Sequence, residues 1–167
     1  MRKLAVAVAI AVIALTSGCQ ATDGTAQLEG NKAVVLRAHS EVWSGGDMDA
    51  AREIYAPEFV GHWTGRPDTN GRDEFLAFVT DARTRFPNWN ESVEQVVAEG
   101  DLVVTRFTSR GTFEGSPSDG KEVTMAEIAI HRIVDGRIVE QWAVADILSM
   151  RQQLGTLETP ADESASE

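Results

Sequence analysis

Apolar and polar positions follow two rhythms along the chain, helical as far as Pro87 and strand-like beyond it. Val34, Ala38 and Val42 form one stripe at helical spacing and Val35, His39 and Trp43 the next, which predicts a helix over Asn31 to Ser44. Gly45-Gly46 ends it, and Asp47 is placed to cap a second, short helix reaching Tyr55. Pro57 turns the residue before it away from helical geometry, so Glu58 to Trp63 reads as extended and Thr64 to Asn70 as a polar loop. Asn70 is the expected N-cap of a third helix, with Asp73 and Glu74 in its first turn and Pro87 as its stop. Its apolar face is Phe75, Phe78, Val79, Ala82 and Phe86.

Beyond Pro87, Ser92 to Ala98, Leu102 to Phe113, Val123 to Val134 and Arg137 to Ala145 read as strands, with turns at Gly100-Asp101, Gly115 to Gly120 and Asp135-Gly136. Asp-Gly suits a two-residue hairpin loop, because both of its central residues need positive φ. Three helices followed by hairpin-linked strands predict an α+β fold, with the helices packed on one face of a curved antiparallel sheet. The interior of such a cone is the expected ligand site.

Regular pairing away from Asp135-Gly136 sets Ile133 against Ile138, His131 against Glu140, Ala129 against Trp142, Glu127 against Val144 and Met125 against Asp146. Alternation then gathers Glu127, His131, Glu140, Trp142 and Asp146 on one face as a pocket wall. The other face receives Ala126, Ile128, Ile130, Arg132, Val139, Gln141, Ala143 and Ala145. Both faces are substantially apolar, so one is expected to lie under the helices and the other against a second copy in a homodimer.

The chain ends add a compartment. Met1-Arg2-Lys3 is basic, Leu4 to Leu15 is apolar and of about a dozen residues, too short to span a bilayer, and the run reads as a signal peptide. Leu15-Thr16-Ser17-Gly18-Cys19 resembles a bacterial lipobox, which implies cleavage before Cys19, lipidation of that cysteine and anchoring in the cell envelope. A secretory peptide with a spare cysteine is the alternative. The expected organisation is a lipoprotein signal over 1–19, a flexible tether over 20–30, a globular domain over 31–155 and a disordered acidic tail over 156–167. Loss of Arg2 and Lys3 takes 15 basic residues to 13 against 26 acidic ones, a net of −13. That balance disfavours nucleic acid and anionic headgroups as partners, leaving the lipid anchor as the expected membrane contact.

Gly136, Ile138, Glu140, Trp142, Asp146 and the closing Gln153-Leu154-Gly155 resemble the C-terminal signature of the SnoaL-like polyketide cyclases. Glu58-Phe59-Val60-Gly61-His62, Gly71-Arg72-Asp73-Glu74-Phe75 and Arg85-Phe86-Pro87-Asn88 resemble the family's earlier motifs, so the likeness runs from about Val34 to Gly155. It implies the NTF2-like cone, frequent dimerisation through the outer sheet face, and intramolecular aldol closure of a hydrophobic carbonyl compound without metal or organic cofactor. Phe113 stands where members commonly carry a histidine.

One carboxylate can act as base and then as acid in such a closure if an apolar setting lifts its pKa. Asp146 is the expected group and His131 a second catalytic candidate, while His62, Trp63, Phe113, Glu127, Glu140 and Trp142 are candidates for binding substrate. Each has a plainer reading. Asp146 at a strand-to-helix junction suits an N-cap, His131 a cross-strand pair with Glu140, His62 local backbone, Glu127 a partner for Arg106 or Arg110, and His39 packing. The aromatic residues suit a core as well as a pocket. The chain carries no His/Cys cluster at metal-ligand spacing. Two further functions stay open: a ligand-binding lipoprotein that keeps the cone without turnover, and epoxide hydrolysis by an activated water, for which no Asp-Arg-Asp cluster is evident.

Overall fold

The computed structural model describes residues 17–157. The apolar run Leu4 to Leu15 and the tail from residue 158 lie outside them, and the tail's first two residues, Thr156 and Leu157, follow the last helix. Helix α1 spans Ser17–Arg37 and continues as a π-helical segment over Ala38–Ser44. The tether expected over 20–30 is therefore helical, with every residue from Gly24 to Gly30 exposed except half-buried Leu28. Its lack of apolar periodicity reflects this want of packing. Once the packed turns around Val35, Ala38 and Val42 nucleate the helix, extending it costs little.

Asp47 caps α2 (Met48–Ile54), accepting from the backbone N–H of Asp49 and Ala50 at 3.0 and 2.9 Å. Strand β1 (Tyr55–Trp63) follows, then a two-residue β2 (Thr69–Asn70) inside the expected loop, and α3 (Arg72–Arg85). Gly71, not Asn70, is the residue at the N-cap of α3; the Asn70 backbone N–H instead donates to Glu74 Oε2 at 2.8 Å. Strands β3 (Asn90–Glu99), β4 (Leu102–Thr112), β5 (Glu122–Val134) and β6 (Arg137–Ala145) match the expected four closely, and α4 spans Ile147–Leu154.

The sheet order is β2-β1-β6-β5-β4-β3. All neighbours are antiparallel except β1 and β6, which run parallel, so the sheet is mixed where it was expected to be antiparallel throughout. Helices α1 to α3 cover its concave face, and the main core of Val35, Val42, Ile54, Phe59, Phe75 and Val79 lies between the two layers. Arg83 ties α3 to the end of the π-helical segment by donating to the Trp43 carbonyl at 2.5 Å and the Ser44 carbonyl at 3.0 Å. A smaller cluster of Phe86, Val123 and Leu154 closes the other end. Among the described residues no helix is long and apolar enough to cross a membrane.

The hairpin loop falls at Asp135-Gly136, with φ of 49° and 72°. Val134 faces Arg137 and Ile133 faces Ile138, but the next pair is Arg132 with Glu140. Val139 is the extra residue of a β-bulge. Because side chains alternate with period two, one extra residue moves everything after it to the opposite face. Beyond the bulge, Glu127 faces Ala145, Ala129 faces Ala143 and His131 faces Gln141. The register expected for Glu140, Trp142, Val144 and Asp146 is thereby overturned: the first three sit on the outer face and Asp146 follows the end of β6.

Candidate active site

A cavity of about 230 Å³ lies between the helices and the inner sheet face. Trp43 and Phe78 come to it from the helices, and Trp63, Phe107, Met125, Ala143 and Ala145 from the strands. Thr64, Arg66, Asp81 and Arg85 are exposed at its mouth, with Ile147 and Met150 of α4 alongside. The Arg66 guanidinium stacks over Phe78 at 3.5 Å and reaches Trp63 at 5.6 Å. Arg85 instead pairs with Asp81. The small residues Ala143 and Ala145 keep the cavity open, and they reach the inner face only because Val139 shifts the register.

Besides exposed Asp81 at the mouth, two carboxyl groups line the interior of this cavity. Glu127, on β5, accepts a hydrogen bond from Ser109 Oγ, its only one among the described residues. Burial, followed by the charge of Glu91, lifts its pKa from 4.5 to about 8, with the Ser109 bond opposing. Glu91, on β3, is held by two groups: His39 Nδ1 lies 2.6 Å from Oε2, and the Trp89 indole donates to Oε1 at 3.3 Å. The π-helical segment carries His39 inward, and the ring's other nitrogen meets Thr105 Oγ1 at 3.1 Å. Thr105 in turn lies 3.5 Å from His131 Nε2, completing a chain Glu91–His39–Thr105–His131. Burial, then the neighbouring His39, lowers the His131 pKa to about 3, so this imidazole is neutral.

Of the residues singled out from sequence, Trp63, Glu127 and His131 line the cavity. Asp146 does not. It is exposed and caps α4, accepting from the Ser149 backbone N–H at 2.9 Å. Glu140 pairs on the outer face with Arg132, its Oε2 2.6 Å from Nη1. His62 bridges Asp68 at 2.9 Å and Glu140 at 3.1 Å, stacks on Trp142 with ring centroids 5.4 Å apart, and has its pKa raised first by the Glu140 hydrogen bond. Phe113 packs on Phe86 in the smaller cluster, 5.2 Å between centroids. The pairing expected for His131 with Glu140 is replaced by His131 with Gln141.

Sequence reasoning passed over Glu91, Thr105, Tyr55 and Gln141 and took His39 for packing. Glu91 and His39 are 52 residues apart, and only the packing of the first helix across β3 unites them. Among the described residues no group of three or more His, Cys, Asp or Glu side chains is arranged to hold a metal ion. Cys19 lies in the first turn of α1.

Solved structures share the whole cone. IdmH from Streptomyces antibioticus, a proposed polyketide cyclase, is 33% identical over 75% of this chain and 98% of its own, with a TM-score of 0.67. A proposed SnoaL-like polyketide cyclase from Jannaschia sp. CCS1 is 26% identical over 78% of this chain and 94% of its own, at 0.70. An LEH-like epoxide hydrolase from M. tuberculosis, 15% identical over 78% of this chain and 92% of its own, at 0.66, shares the fold. Curated proteins yield no match. The family model for SnoaL-like polyketide cyclases matches residues 33–154, from the packed part of α1 to the end of α4, and the chain belongs to that family.

Proposed function

We propose that the protein is a cofactor-independent enzyme of the cyclase or isomerase type, acting by acid/base chemistry on a compact hydrophobic carbonyl compound. The observation that carries this reading is Glu127, a half-buried carboxyl group in an aromatic cavity with its pKa lifted to about 8. The ionised carboxylate takes a proton from the carbon beside a carbonyl. The enolate electron pair then attacks a second carbonyl carbon of the same molecule, and the alkoxide so formed recovers the proton from Glu127. Proton transfer by one positioned group contributes about 10²–10⁴-fold to such a step. Family membership and the likeness to proposed polyketide cyclases support the reaction class.

Deuterium exchange at C2 of 1-indanone, followed by NMR with the full-length protein, tests the assignment. Glu127→Gln should lower the protein-catalysed rate at least about 100-fold, while Asp146→Asn leaves it within about twofold because that side chain caps a helix outside the cavity. Loss of exchange in Asp146→Asn with retention in Glu127→Gln would sink the proposal. The alternative, a non-catalytic small-molecule-binding envelope lipoprotein, draws support from the aromatic lining and predicts binding with no exchange above buffer. Under either reading we propose export and lipid anchoring through Cys19, so that Cys19→Ala should move the protein out of the membrane fraction.

A further inference from the structure

The inner end of the cavity carries polar groups that the acid/base step leaves idle. Tyr55, His131 and Gln141 all line it and are 0%, 2% and 4% exposed. His131 Nδ1 and Gln141 Oε1 make no hydrogen bond among the described residues, and Tyr55 Oη meets only a loose approach of the Trp43 side chain, which leaves its O–H undonated. Such atoms are destabilising and few in native proteins. Three around one cavity, two of them on the cross-strand neighbours His131 and Gln141, form a pattern that packing does not require.

Their chemistry is specific. Burial, then the charge of Glu91, raises the Tyr55 phenol above its ordinary range, the Trp43 side chain opposing, so it stays protonated and offers an O–H. Gln141 offers both a carbonyl oxygen and an N–H. The state of His131 follows from the chain behind it, because Thr105 has a single hydroxyl proton. When His39 Nε2 carries hydrogen and donates to Thr105, the hydroxyl donates onward to His131 Nε2, and Nδ1 becomes a donor. When His39 Nε2 is a bare lone pair, the hydroxyl turns toward it and His131 Nδ1 is left as an acceptor.

We propose that Tyr55, His131 and Gln141 form a subsite for the hydroxyl or enol oxygen of a one- or two-ring aromatic compound, held flat between Trp43, Trp63 and Phe78. This rests on the reading of the same cavity as the substrate site. A hydroxyl both accepts and donates, and so meets the Tyr55 O–H together with an acceptor on His131 or Gln141. A carbonyl or ether oxygen leaves that acceptor unpaired, and a bare hydrocarbon leaves all three groups unpaired. The volume of about 230 Å³ falls below the roughly 300–1,000 Å³ of common ligand pockets, which limits the ring count.

Calorimetric titration of the full-length protein with 2-naphthol and with naphthalene tests the subsite without requiring turnover. Naphthol should bind at least about tenfold more tightly, and Tyr55→Phe and Gln141→Leu should each weaken it by about 5- to 20-fold while naphthalene affinity stays within about twofold. The unchanged naphthalene affinity reports that each variant is folded. Equal affinity for the two ring compounds, or a naphthol preference intact in both variants, overturns the proposal. Glu127→Gln should keep the preference. If it does so while losing indanone exchange, both readings stand; if exchange proves independent of Glu127 and the preference persists, only the acid/base assignment falls. Loss of the preference in Glu127→Gln alone would move the oxygen site to Glu127 and overturn the subsite.

Discussion

Glu127 and Asp146 carry the same functional group into opposite surroundings. Asp146 stands in solvent and spends its oxygen on a helix N-terminus, whereas Glu127 is half-buried beside a second acid. Because the folded state raises the Glu127 pKa, it holds a proton that the unfolded chain gives up. The stabilising contribution is complete below about 4.5 and is lost as pH rises to about 8. Urea denaturation of wild type and Glu127→Gln should therefore show the wild type losing stability relative to the variant between pH 5 and 8, with no further divergence above. Indanone exchange should climb over the same interval, since only the ionised group removes a proton. Sequence supplied this residue and His131 as candidates, but ranked Asp146 above them because the family resemblance runs through it to the closing Gln153-Leu154-Gly155. The motif is architectural here: Gln153 donates to the Thr124 carbonyl at 2.8 Å and accepts from its N–H at 2.9 Å, Leu154 is buried, and Gly155, with φ of 70°, closes the helix.

At the level of elements, strands β3 to β6 were legible to within about two residues because polar-apolar alternation is a local property. The parallel contact of β1 with β6 and the two-residue β2 depend on how distant segments meet, and nothing local announces them. The bulge was illegible for a different reason. Ile138 and Val139 are both apolar and the strand is apolar on both faces, so a slip of one residue leaves the pattern looking intact. The π-helical segment that turns His39 toward Glu91 likewise carries no periodic signature. Helix α4 offers a separate check. Asp146→Ala removes its cap and should cost about 1 kcal/mol in denaturant unfolding, with indanone exchange changed little because the side chain caps the helix and does not line the cavity.

The whole molecule presents an outer sheet face with Val97, Ile128 and Val144 64%, 49% and 62% exposed. Scattered exposed apolar residues are ordinary, but these three stand on strands of one surface. We propose that a second copy covers it. Sedimentation velocity should show a dimer that Val144→Asp dissociates, with exchange at the cavity retained; a monomeric wild type would refute this. The cavity and the outer face are written on the same strand, and Val139 decides which residues belong to which. It acts like a shift of reading frame. Gaining or losing one residue at that point would swap Gln141, Ala143 and Ala145 on the cavity wall for Glu140, Trp142 and Val144, filling an open cavity with an indole. A change of chain length near the hairpin, far from the mouth, is thus a route to a new ligand without substituting any residue that lines the site.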